Sequence, residues 1–214
     1  SRQLDDLEDV LADARMNAAH APVVVFGHSL GGLLALGFAV GDPPRPLPDA
    51  LVLSAPALDS TIPGWKRAVA RVLGSVAPTM TINNDFDGGL LSRDPAVGAA
   101  YVADPLNEHV TTARFGAAAI TEQGRVRRSL RRLTIPTLVY HGDADRLVPA
   151  AASGPLADVA GVSRRIYRGL RHESHNEPEG RAVVEDVIDW LRTTAATTNG
   201  ARAVGGQRDA RLAP

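Results

Sequence analysis

The sequence contains no cysteine among its 214 residues. That absence excludes disulfide bonds, thiolate zinc sites and a cysteine nucleophile. Aromatic residues make up only 4% of the chain, and no apolar run is long enough to span a bilayer. The formal net charge is −1, so bulk charge predicts neither a nucleic-acid partner nor an anionic membrane.

What remains is typical of a globular protein, with 44% hydrophobic and 22% charged residues. The length suits one domain with a sizeable core. The first residue is Ser1 rather than methionine, so we expect the natural chain to begin upstream. We predict a protein of the cytoplasm or of the periphery of the cell envelope, unless a signal precedes Ser1.

The most informative stretch is Val23-Val24-Val25-Phe26-Gly27-His28-Ser29-Leu30-Gly31. It predicts a short buried strand, a sharp turn and a buried helix, which is the context of a G-x-S-x-G nucleophile elbow. Ser29 is then the candidate nucleophile, and the backbone N–H of Leu30 is a candidate oxyanion donor. Gly27 and Gly31 are expected where a Cβ would crowd the turn.

Strands and helices alternate elsewhere, which predicts an α/β fold with a mainly parallel sheet. The predicted strands cover 23–26, 50–54, 135–141 and 163–167, and the flanking helices 4–14 and 179–191. The alternation stops between them, where we predict a helical cap rather than a structureless loop. The predicted units are core 1–58, cap 59–133, core 134–192 and a disordered tail 193–214.

A serine nucleophile needs a base, and the base needs an orienting carboxylate. Both are expected in loops at the carboxyl ends of later strands. The carboxylate candidates are Asp143 and Asp145, and the base candidates are His172 and His175. The chain order serine, aspartate, histidine is the one expected for this architecture. His109, in the cap, is expected to be a solvated or core histidine.

Four separated motifs then carry a resemblance: Gly27-His28-Ser29-Leu30-Gly31-Gly32, Leu51-Val52-Leu53-Ser54-Ala55-Pro56-Ala57, His141-Gly142-Asp143-Ala144-Asp145-Arg146-Leu147-Val148 and Tyr167-Arg168-Gly169-Leu170-Arg171-His172-Glu173. Together they resemble the bacterial monoacylglycerol lipase and lysophospholipase branch of the α/β-hydrolases, which is serine aminopeptidase S33-like. The resemblance implies Ser29 as nucleophile, Asp145 as acid and His172 as base. It also implies no cofactor, a lipid ester substrate and transient membrane contact through the cap.

Two departures from the family pattern accompany the resemblance. His175 stands where the family usually has a hydrophobic residue. The strands that precede the first helix in the family are not present, and with them the His-Gly loop that completes the oxyanion hole. We therefore expect an N-terminally truncated hydrolase, in which the strand at 23–26 leaves an apolar edge exposed.

Three functions stay open at this point. The favoured one is an esterase or lipase that acts through an acyl-enzyme. An acyltransferase, thioesterase or peptidase could use the same residues, because fold and triad do not determine the substrate. A catalytically silent fragment that only binds lipid or a partner is the hypothesis of another class.

Overall fold

The structure of the chain is a computed structural model, and it describes residues 2–19, 21–83 and 87–209. Its main sheet has four parallel strands in the order β1-β2-β5-β6. These strands are β1 (Val24–His28), β2 (Ala50–Ser54), β5 (Thr137–Gly142) and β6 (Val162–Tyr167). Because the strands are parallel, the turn at Ser29 and the loops that carry Asp145 and His172 all follow strand ends at one edge of the sheet.

The central strands are buried on both faces, as expected for a parallel sheet covered by helices. Every residue of β2 and β5 is buried. Alternate residues point to opposite layers, so Leu51 and Leu53 face one core and Val52 faces the other.

Helices form a layer on each face. On one face lie α1 (Arg2–Asn17), α2 (Leu30–Ala39) and α5 (Ala113–Ser129). On the other lies α6 (Gly180–Asp209), whose Val183 packs against Val52, Leu138 and Tyr140. α6 runs past Leu191 into the segment that we predicted as a disordered tail, and residues 210–214 lie outside the described residues.

The insertion after β2 contains three helices in the part of the chain where a helical cap is predicted: α3 (Gly64–Val76), α4 (Pro95–Ala103) and α5. It also contains a short antiparallel ribbon of β3 (Thr81–Asn83) and β4 (Val110–Thr112), which we did not predict. The end of α5 belongs to the sheet core rather than to a separate cap, because Val126 is fully buried beside Leu33 and Leu36.

β1 lies at the edge of the four-stranded sheet. Two of its apolar side chains are exposed, Val24 by 36% and Phe26 by 55%. The chain as described therefore presents an apolar strand edge, in line with the sequence expectation. Within the described residues, no helix is both long enough and apolar enough to cross a membrane.

Candidate active site

Ser29 stands in the sharp turn between β1 and α2. Its φ of 51° and ψ of −116° are unusual for a residue with a side chain, and they mark a strained turn. The turn is tied to the neighbouring strand, because Ser29 N–H donates to the Ser54 carbonyl at 2.9 Å. The hydroxyl of Ser29 makes no capping hydrogen bond to α2, so the helix does not occupy it.

Close backbone approach explains one of the two elbow glycines. A Cβ on Gly27 would lie 2.8 Å from the carbonyl oxygen of Gly31. The prediction that Gly31 is crowded in the same way is wrong, because among the described residues a Cβ there meets nothing within 4 Å. Gly32 is the second crowded position, since its Cβ would come within 2.9 Å of Pro56 Cβ. The elbow therefore packs against the end of β2 through Gly32.

Leu30 is the first residue of α2. A first-turn N–H has no acceptor within its own helix, and the helix dipole favours negative charge there. The N–H of Leu30 is thus suited to donate to an oxygen that becomes negative beside Ser29.

Asp145 is the buried carboxylate of the loop that follows β5. Its Oδ1 accepts from the backbone N–H groups of Leu147 and Val148, each at 2.9 Å. Its Oδ2 accepts from His141 Nε2 at 3.1 Å and from His172 Nδ1 at 2.7 Å. Burial alone would raise the pKa of Asp145, but the hydrogen bonds from His141 and His172 outweigh it and hold the pKa well below its usual range. The side chain is therefore an anion at neutral pH.

The bond to Asp145 determines the tautomer of His172. An ionised carboxylate can only accept hydrogen bonds, so Nδ1 of His172 carries the proton. In the neutral imidazole, Nε2 therefore carries no proton and can accept one. The His172 ring packs on His28, the residue before Ser29, with ring centroids 4.7 Å apart. Between Ser29 and His172 the described residues show no hydrogen bond, and such contacts are often loose before a substrate binds.

The sequence offered two candidate carboxylates and two candidate bases, and the geometry distinguishes the members of each pair. Asp143 accepts from the N–H of Gly169 at 2.6 Å and stays at the exposed rim of the loop. His175 lies away from Asp145, and its Nδ1 faces Tyr140 Oη at 3.3 Å and Ser54 Oγ at 3.5 Å. The structure thus brings together Asp145 and His172, and it leaves Asp143 and His175 outside that pair.

The serine aminopeptidase S33 model matches residues 1–179, most of the chain. The chain belongs to this family. A monoacylglycerol lipase of Mycolicibacterium smegmatis is 38% identical over 197 residues, which cover 89% of this chain and 69% of that protein. A human monoglyceride lipase is 32% identical over 186 residues, covering 82% of this chain. This S33 chain spans 60% of the human protein's length.

Solved structures give the same fold. The monoacylglycerol lipase of Paleococcus ferrophilus superimposes with a TM-score of 0.78 at 27% identity, over 89% of this chain and 76% of that one. A monoglyceride lipase from Saccharomyces cerevisiae has the same TM-score at 19% identity, which shows the fold. The predicted α/β-hydrolase fold and the resemblance to the monoacylglycerol lipase branch are both confirmed.

The structure also shows a cluster of three histidines, His28, His172 and His175, which the sequence analysis did not predict. His28 lies between His172 and His175, with its ring centroid 5.3 Å from that of His175. Burial, together with the two neighbouring imidazoles, lowers the pKa of His28 to about 3. His28 therefore stays neutral at physiological pH and adds no positive charge beside His172. Across the described ranges, no cluster of histidine, aspartate and glutamate side chains is arranged to hold a metal ion.

Proposed function

We propose that this chain carries the site of a serine hydrolase that cleaves carboxylic esters, with Ser29 as nucleophile, His172 as base and Asp145 as acid. The observation that supports it best is the buried 2.7 Å hydrogen bond between Asp145 and His172, next to the strained elbow at Ser29. A hydroxyl is scarcely ionised at neutral pH, so a nucleophilic serine requires such an oriented base.

The chemistry follows from these positions. Ser29 Oγ attacks the ester carbonyl carbon while its proton passes to His172 Nε2. The carbonyl oxygen becomes an oxyanion, to which the N–H of Leu30 donates. Collapse breaks the ester C–O bond, and His172 gives its proton to the leaving alkoxide. Water then attacks the acyl-enzyme with His172 again as base, which releases the acid and restores Ser29.

For the substrate class we infer lipid esters, with monoacylglycerols first. Several relatives are named as monoacylglycerol or monoglyceride lipases, and one relative, at 27% identity, is named as a phospholipase. A mostly apolar pocket between α2 and α5 has Leu30, the residue that follows Ser29, in its lining. Its apolar lining consists of Leu30, Leu33, Leu34, Phe115, Ala118 and Ala119. Such a wall suits an acyl chain better than a charged peptide terminus.

A substrate panel tests this proposal on the 214-residue chain. We expect a fluorophosphonate to add once, at Ser29, in a folded and monodisperse sample. We expect monoacylglycerol to be cleaved faster than a lysophospholipid, a thioester or an aminoacyl anilide. Faster release of the aniline would support a peptidase instead. No labelling and no turnover in a folded sample would support a silent fragment.

We also propose that α3 lies on a lipid surface while the site works. Its residues Trp65, Val69, Val72 and Val76 recur at helical spacing, and each is between 48% and 72% exposed. The opposite side packs on α5, where a Cβ on Gly74 would come within 2.5 Å of Ala117 Cβ. Trp65 next to Lys66 fits an interface, because amphipathic rings and basic side chains both favour the headgroup layer.

Vesicle binding checks the role of α3. We expect the triple variant Trp65→Ser, Val69→Ser, Val72→Ser to lose at least about tenfold in affinity for phosphatidylglycerol-containing vesicles, because three apolar side chains no longer leave water. Co-sedimentation measures it. The control is Val184→Ser with Ile188→Ser, two exposed apolar residues of α6, which should bind like the parent. Equal binding by the triple variant and the parent would remove α3 from the membrane contact.

A further inference from the structure

Glu177 is a buried carboxylate that the proposed chemistry does not use. It lies in the loop after β6, beyond His172, and its side chain has no exposed surface. A buried carboxylate is costly unless several donors surround it. The donors that face Glu177 therefore indicate what the residue holds in place.

Those donors come from two separate parts of the chain. From the insertion, the backbone N–H of Arg93 donates to Glu177 Oε2 at 2.9 Å, and Arg93 Nε donates at 3.1 Å. The Ser92 hydroxyl shares its single proton between the Asn176 carbonyl at 2.9 Å and Glu177 Oε2 at 3.2 Å. We call residues 168–173, around His172, the base loop. From this loop, the N–H of Arg171 donates to Glu177 Oε1 at 2.7 Å. One carboxylate thus joins the insertion to the residue directly before His172.

Further bonds join the same two segments. We call residues 88–93 the bracing segment. The guanidinium of Arg171 donates to the carbonyls of Gly89 and Ser92, the latter at 3.0 Å. The N–H of Glu173 donates to the carbonyl of Leu91 at 2.8 Å. The residues on both sides of His172 are therefore bonded to the bracing segment, and Leu91 anchors that segment because it is 2% exposed.

We propose that Glu177 is a positioning residue for His172. We propose also that the bracing segment holds the base loop in place and does not act as a lid. The inference rests on the proposed function, because it concerns His172 as the base. His172 follows Arg171, so the peptide that Glu177 holds is the one that places the imidazole. A shift of about 1 Å in a catalytic group can cost about 100-fold in rate.

The negative charge of Glu177 is what its surroundings require. Every polar contact described for its carboxylate is a donor: two backbone N–H groups, a guanidinium N–H and a hydroxyl. Glutamine has the same shape, but its NH₂ group would face one of these donors and could not accept from it. Glu177→Gln therefore weakens the bonds to either the bracing segment or Arg171, and it leaves no cavity.

The experiment compares Glu177→Gln with Glu179→Gln, a matched control. Glu179 pairs with the same Arg93, but its side chain is 55% exposed, and among the described contacts it makes no hydrogen bond to Arg171 or Glu173. We expect Glu177→Gln to lower kcat for monoacylglycerol by about 10- to 100-fold with KM within about twofold. Glu179→Gln should stay within about twofold of the parent in both. Glu177→Asp, which keeps the charge, should recover part of kcat.

A spectroscopic readout separates this inference from the proposed function. The Nδ1 proton of His172 lies in a 2.7 Å bond to Asp145 and should give a downfield ¹H resonance. We expect that resonance to broaden or vanish in Glu177→Gln and to persist in Glu179→Gln. If the chain cleaves no ester, the proposed function is rejected. Loss of the resonance in Glu177→Gln would still support the positioning role in that case.

Two results would overturn the proposal. One is a folded Glu177→Gln protein that keeps both the parental kcat and the downfield resonance. The other is a parental result from a second variant, which is used if Glu177→Gln does not fold. Ser92→Ala then serves, because it removes the hydroxyl whose proton is shared between Glu177 and the Asn176 carbonyl. We expect kcat to fall by about three- to tenfold at unchanged KM, and parental values for kcat and the resonance would reject the role of Glu177.

Discussion

Replacing Ser29 by alanine is expected to lower kcat/KM for monoacylglycerol hydrolysis by about 10⁴- to 10⁶-fold. The variant has no atom that can form the acyl-enzyme, and only water in the site remains as a nucleophile. The fold should persist, because alanine at a φ of 51° is strained to a similar degree as serine. The lost hydroxyl also makes no capping bond to α2.

Ester turnover and fluorophosphonate labelling, followed by intact mass, measure the effect of Ser29→Ala. Ser163→Ala is the control, since Ser163 is exposed on β6, away from the elbow. It should label and turn over like the parent. A Ser29→Ala protein that still forms the adduct, or that keeps more than a tenth of the parental turnover, would place the nucleophile elsewhere.

Asp145→Asn is expected to lower kcat by about 10⁴-fold, with the fold retained. All four groups that contact the Asp145 carboxylate are donors. An asparagine must turn its NH₂ group toward one pair of them. If that group faces His172 Nδ1, the imidazole takes the other tautomer, in which Nε2 carries the proton and cannot accept one from Ser29.

The neighbouring aspartate is the matched control for Asp145. Asp143→Asn changes the same functional group two residues away, but its Oδ1 accepts from the Gly169 N–H and an amide oxygen can do the same. We expect its kcat within about twofold of the parent. Steady-state kinetics with thermal melting of both variants decides the matter. Equal losses in the two would mean that loop integrity, rather than His172 orientation, limits activity.

Local patterns predicted most of the elements, because they depend on neighbours in the sequence. The strand before Gly27, the helix after Ser29 and the helical pieces of the insertion all follow from apolar periodicity. The ribbon of β3 and β4 was missed, because each strand has three residues and lies largely at the surface. Their pairing joins distant residues, such as Thr81 with Thr112, and no local pattern reports it.

Contacts between distant segments also explain the errors and omissions at the site. Whether a glycine is crowded depends on what packs against it, so Gly31 looked like Gly27 in the sequence and differs from it in the structure. Glu177 carries no motif of its own. Its partner Arg93 stands 84 positions earlier in the chain, so only the folded chain shows the brace.

The sequence by itself determined the family, the parallel α/β architecture, the elbow around Ser29 and the chain order of the candidate residues. These follow from periodicity, turn chemistry and motif order, all of which are local or linear. Only the tertiary structure decided which aspartate meets which histidine. The strand order puts β2 between the elbow strand and β5, and the ends of β5 and β6 lie side by side. That arrangement turns Asp145 toward His172 and leaves Asp143 at the rim.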